Sequence, residues 1–129
     1  MNKLVVHNKD GSTLKGHSSD FNPALPFFHI ATLKKPDDSV KVWFENLKAI
    51  FLVRDFIGDA QHLDSLDFSR IPLEAKHIII TFKDGEIFYG TSDLTHNSSK
   101  GFYIFPADKN SNTIGAYVLK SAIENVRII

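Results

Sequence analysis

The residues of this chain with chemical capacity are six histidines, a matched pair of aspartates and one loop rich in aromatics and proline. Histidines do metal or acid–base chemistry when ligands converge, and in sequence that shows as His-x-His, Glu-x-x-His or similar spacing. None of these occurs: His7 and His29 sit in strand-like alternation, and His17, His62, His77 and His96 are scattered. Folding alone would have to bring His17, Asp20 and His96 together, so neither a metal nor a cofactor is expected. Asp10 and Asp84 each lie in a Lys-Asp-Gly triplet, where turn formation accounts for them. No serine stands in a nucleophile elbow and no glycine-rich loop cradles phosphate. The reading is therefore of a protein that is not an enzyme.

The loop is Asp20-Phe21-Asn22-Pro23-Ala24-Leu25-Pro26-Phe27. Its prolines limit the conformations available and its aromatics offer contact area at low entropic cost. Asp20, Phe21, Asn22, Pro23, Leu25, Pro26 and Phe27 are accordingly the candidate partner-binding residues. The other reading of the same loop is a staple packed on the connector that follows the first repeat.

The elements that must position these residues are written twice. Leu4-Val5-Val6, Lys9-Asp10-Gly11 and Gly16 recur as Ile78-Ile79-Ile80, Lys83-Asp84-Gly85 and Gly90. Phe28-His29-Ile30 answers to Phe102-Tyr103-Ile104, and Leu47 to Leu52 answers to Ile123 to Ile128, the offset growing by two after Phe105. Alternation marks the first strand of each copy, and Lys-Asp-Gly opens a tight hairpin in which glycine takes positive φ. Gly16 and Gly90 fall inside the second strands, where the missing Cβ permits a sharp bend. Five short strands with a bent second strand predict an all-β fold of two tandem five-stranded SH3-like barrels packed together. The predicted boundaries are 1–55 for the first barrel, 56–75 for a connector with a helical turn around Asp59 to Leu66, and 76–129 for the second. The connector's Phe56, Ile57, Leu63, Leu66, Phe68 and Ile71 are too many for a free linker and should pack between the barrels.

At 129 residues and 43% hydrophobic content the chain suits a small globular protein, and each repeat alone is short for an independent core. Net charge is zero, so no global basic field draws in nucleic acid. The first repeat from Lys3 to Arg54 carries +3, the connector from Asp55 to Ala75 carries −4 and the second repeat +1, a pattern that suits docking within the chain. There is no cysteine, and no apolar run approaches a membrane span or a signal peptide. A cytoplasmic location without membrane contact is expected.

The hairpins Gly11-Ser12-Thr13-Leu14-Lys15-Gly16 and Gly85-Glu86-Ile87-Phe88-Tyr89-Gly90 resemble the first motif of Sm-like RNA-binding proteins. The resemblance implies a bent five-stranded barrel with a short turn before its last strand, and an RNA site built from an Asp and Asn after the second strand and an Arg-Gly pair before the fifth. Asp20 and Asn22, or Asp93 and Asn97, lie near the first position at a different spacing. Glu45-Asn46 and Lys120-Ser121 stand where Arg-Gly belongs, and a glutamate there repels phosphate. As a tandem whole the chain is also similar to small bacterial proteins with repeated Lys-Asp-Gly hairpins, a resemblance that implies no activity.

The copies disagree most at positions expected to face outward. Phe27, Phe44, Phe51 and Val53 of the first are Gly101, Lys120, Arg127 and Ile129 in the second, while Phe82, Tyr89 and Phe105 replace Asn8, Lys15 and Ala31. Apolar residues there require a covering surface, either the other repeat or an outside partner. The functional expectation is a non-enzymatic binding or adaptor module for a protein or peptide. The alternative is single-stranded RNA stacked on Phe21, Tyr89 or Tyr103.

Overall fold

A computed structural model of the protein describes residues 2–57, 76–92, 100–108 and 110–129. The helical turn expected around Asp59 to Leu66, most of the connector, His62, His96, Asp93 and Asn97 lie outside the described residues. Among the described residues ten strands follow one another: β1 (Asn2–Asn8), β2 (Thr13–Ser18), β3 (Phe27–Thr32), β4 (Ser39–Trp43), β5 (Leu47–Val53), β6 (Lys76–Phe82), β7 (Ile87–Ser92), β8 (Gly101–Pro106), β9 (Thr113–Leu119) and β10 (Ile123–Ile128). Two single 3-10 turns, Phe44–Asn46 and Lys120–Ala122, are the helical elements among the described residues. Among the described residues no helix is long and apolar enough to cross a membrane.

The fold is all-β, and the strands form one antiparallel open sheet in the order β10-β6-β7-β8-β9-β5-β1-β2-β3-β4. It contains two blocks of identical internal order, β5-β1-β2-β3-β4 and β10-β6-β7-β8-β9, and the blocks share registers. Val6 faces Leu14 and Ile50, as Ile80 faces Phe88 and Val126. Phe28 faces Val42, as Phe102 faces Val118.

Turn chemistry sets the hairpins. Gly11 and Gly85 have φ of 91° and 93°, and their amides donate to the carbonyls of Asn8 and Phe82, closing a type I turn with a glycine bulge. Gly16 and Gly90 have a different job: a Cβ on either would land on the carbonyl oxygen of Ala31 or Phe105 in the next strand. The β2–β3 and β7–β8 ladders are correspondingly short, with two matched pairs each, Gly16 and His17 against Thr32 and Ala31, and Gly90 and Thr91 against Pro106 and Phe105.

The blocks join where β5 pairs with β9, Ile50 opposite Tyr117 and Phe51 opposite Ala116. Both strands are buried on both faces, so each serves two cores. Phe28, Ile30, Val42, Phe44 and Ile50 pack with Tyr117 and Leu119 of β9 in one. Ile78, Ile80, Phe82, Phe102 and Ile104 pack with Ala49, Phe51 and Val53 of β5 in the other. The surface that covers Phe51 and Val53 is thus the second block. Phe44, expected to face outward, is instead inside the first core, because the 3-10 turn carrying it rotates the chain inward between β4 and β5.

Candidate functional site

Beside the β5–β9 joint lies an open hollow of about 240 Å³. Its floor is Leu4 of β1, Ile50 and Leu52 of β5, and Gly115 to Tyr117 of β9; Phe21, Tyr103 and Phe105 form the walls. None of these residues carries a charge. Alternation explains the lining: Ile50 and Leu52 are the residues of β5 that face away from the second core, and Tyr103 and Phe105 are the outward positions of β8.

Gly115 shapes the hollow. A Cβ there would stand 3.1 Å and 3.2 Å from two ring atoms of Phe105, so the ring lies directly over the glycine backbone. Tyr103 meets Tyr117 edge-on at 5.0 Å between ring centroids, and Ser92 Oγ donates to the Tyr103 carbonyl at 2.5 Å. Partial burial, and then the neighbouring Tyr117, push the Tyr103 phenol above its ordinary pKa, so its hydroxyl stays protonated. Tyr103 and Phe105 remain half exposed despite their size, 48% and 51%.

The candidate loop is placed residue by residue as follows. Phe21 turns into the hollow and packs edge-on against Phe28 at 5.1 Å and Phe44 at 5.8 Å. Asp20 anchors the loop: its carboxylate accepts the His29 amide at 2.8 Å and pairs with His29 Nδ1 at 2.7 Å. Those hydrogen bonds hold it below the usual carboxylate range. Asn22 closes a turn through its side-chain oxygen on the Ala24 amide, at 3.0 Å. The carbonyls of Pro23 and Leu25 both accept Lys100 Nζ at 2.7 Å, a clamp from the opposite block, and the Leu25 side chain is exposed. Pro26 borders a second hollow with Trp43, Phe44, Glu45, Lys100 and Leu119. Phe27 lies on the outer face of β3, 5.0 Å from Trp43, with Lys41 Nζ 3.9 Å above its ring.

The loop therefore divides: Phe21 belongs to the hollow at the joint and Phe27 to the far face. Gly115, Tyr117 and Leu52 were not among the sequence candidates. Their signal would have been the exchange of Ala31 for Phe105, but its meaning depends on which strands adjoin. Among the described residues no three histidine, aspartate or glutamate side chains converge as metal ligands. His17 packs against Phe56 at 5.4 Å, and His7 packs against Phe51 at 4.7 Å. Burial, opposed by Glu86, lowers the His7 pKa.

Residues 1–129 match a family of unknown function (DUF6982) over their whole length. The chain belongs to that family. No curated protein and no solved structure matches it. In this member of the family, the hollow at the joint sets the half-exposed rings of Tyr103 and Phe105 beside an uncharged floor, and it suits apolar contact rather than proton transfer or ion binding.

Proposed function

We propose that the chain is a non-enzymatic binding module, a tandem duplication of a small SH3-like, Sm-like barrel, that recognises a protein or peptide partner. The observation carrying the reading is the hollow walled by Phe21, Tyr103 and Phe105 with no charged residue in its lining. Half-exposed aromatics around an apolar floor desolvate an incoming aliphatic or aromatic side chain, and the Lys100 clamp holds the Phe21 loop ready for it. A phosphate-bearing ligand would find no cation there.

Random-peptide display on the immobilised protein, followed by titration of selected peptides into isotope-labelled protein, tests this. Amide shifts centred on Phe21, Tyr103 and Gly115, lost in Phe105→Glu, are expected. Peptides that bind Phe105→Glu equally well would refute it.

The RNA alternative draws on a different place. Lys41 Nζ lies over Phe27 at 3.9 Å and over Trp43 at 4.6 Å, a stacking surface with a cation beside it. Trp43 is the sole tryptophan, so its fluorescence reports on that face directly. Quenching by mixed-sequence single-stranded RNA that weakens with salt is the expected result of this alternative, and an unchanged signal at low salt removes it.

A further inference from the structure

The two outermost strands of the sheet, β4 and β10, are the counterparts of the two strands that form its internal joint. The registers establish the correspondence: Val42 stands in the first block where Val118 stands in the second, and Val126 stands in the second where Ile50 stands in the first. The joint pairs Ala49 with Val118, Ile50 with Tyr117, Phe51 with Ala116 and Leu52 with Gly115. Among the described residues no strand lies beside the outer edge of β4 or of β10. One end of each molecule thus carries an open strand of the β9 kind and the other end an open strand of the β5 kind.

We propose that a second copy of the chain docks head to tail, β10 of one molecule pairing antiparallel with β4 of the next, in the register of the internal joint. Transferring that register sets Asn125 against Val42, Val126 against Lys41, Arg127 against Val40 and Ile128 against Ser39.

Exposure points the same way. In the joint, Ala116, Leu119 and Val53 are 3%, 2% and 6% exposed; their counterparts at the free edges, Val40, Trp43 and Ile129, are 40%, 40% and 65% exposed. Ile128 is also exposed, at 55%. Val40, Trp43 and Ile129 are thus apolar residues whose counterparts are buried at the joint. Unpaired backbone along an edge strand is itself a template for another strand.

The new joint is more polar than the internal one, since Asn125 and Arg127 stand where Ala49 and Phe51 do. Its association is therefore reversible and weaker than the intrachain contact. A head-to-tail contact uses different surfaces on the two molecules, so it continues into a ring or a filament and does not stop at a symmetric pair. The inference rests on the geometry of the two blocks and is independent of the hollow at the joint, which lies inside one chain.

Sedimentation velocity over roughly 10 μM to 1 mM, the range of weak interfaces, tests it. The wild type is expected to gain mass with concentration. Val40→Lys sets like charges opposite Arg127 and is expected to weaken association by about tenfold or more. Adding Arg127→Glu to Val40→Lys turns the repulsion into attraction and is expected to restore association. Arg127→Glu alone keeps the fold check simple, because Arg127 is exposed, and is expected to associate at least as well as wild type. A wild type that stays monomeric throughout would overturn the proposal. So would a double variant that melts like the wild type yet associates no better than Val40→Lys, because the two positions would then not face each other.

Discussion

Lys48 of β5 reaches from the first block to the β6–β7 turn of the second, its Nζ 2.8 Å from Asp84 Oδ2. Glu86 Oε1 lies 3.0 Å from the same nitrogen, and the ring of Phe82 lies beneath it at 4.6 Å. The Lys48 side chain is almost wholly buried while both carboxylates face water. Burial works against the lysine charge, but the hydrogen bonds to Asp84 and Glu86 outweigh it and raise the Lys48 pKa. The hydrogen bond from Lys48, followed by that from the Glu86 amide, holds Asp84 below its ordinary range.

The sign of the pH dependence follows from Asp84. Its folded pKa is depressed, so its stabilisation is complete above the unfolded value near 3.8 and disappears as pH falls through the folded one. Because the carboxylate is half exposed, the effect is screened and amounts to less than about 1 kcal/mol. Urea midpoints of wild type and Asp84→Asn should differ at pH 7 and converge in strong acid. A gap that persists at the lowest pH would assign the loss to the turn and not to the ion pair.

Phe51 belongs by sequence to the first block and by packing to the second. Phe51→Ala should cost about 3 to 5 kcal/mol, the range for emptying an aromatic from a core. Fragments 1–57 and 76–129 should each aggregate alone and recover when expressed together. Two separately soluble fragments with dispersed amide spectra would contradict the shared core.

The glycines separate two kinds of constraint. Gly85→Ala meets open space and only a strained φ, so it should cost on the order of 1 to 3 kcal/mol. Gly90→Ala drives a methyl into the Phe105 carbonyl and must move backbone, so it should melt at the lower temperature of the two. Thermal melts that rank them the other way would show that β7 and β8 approach less closely than described.

Lys100→Met keeps an unbranched apolar side chain but removes the ammonium that lies 4.6 Å over the Phe44 ring and both of its hydrogen bonds to the Pro23 and Leu25 carbonyls. Amide exchange at Leu25, whose N–H donates to the Asn22 carbonyl, should quicken while the β1–β2 hairpin stays protected. Equal protection in both proteins would mean that Asp20 and Asn22 hold the loop unaided.

Local chemistry made much of this protein legible from its residues. Lys-Asp-Gly announces a turn because only glycine takes φ near 91° without strain, and the alternation of Ile78, Ile80 and Phe82 sets which side faces a core. The crowding of the next strand at Gly16 and Gly90 was readable from the same residue type, since it answers to a single missing Cβ. What needed the tertiary structure was the neighbour of each edge. A strand's side chains declare its faces, but its backbone offers the same N–H and C=O groups along both edges, so nothing in Leu47 to Val53 names Thr113 to Leu119 as its partner. That pairing decided that Phe51 and Val53 are covered from within the chain, that Phe21 meets Tyr117 and stands across the same hollow from Tyr103 and Phe105, and that β4 and β10 are the outermost strands among the described residues.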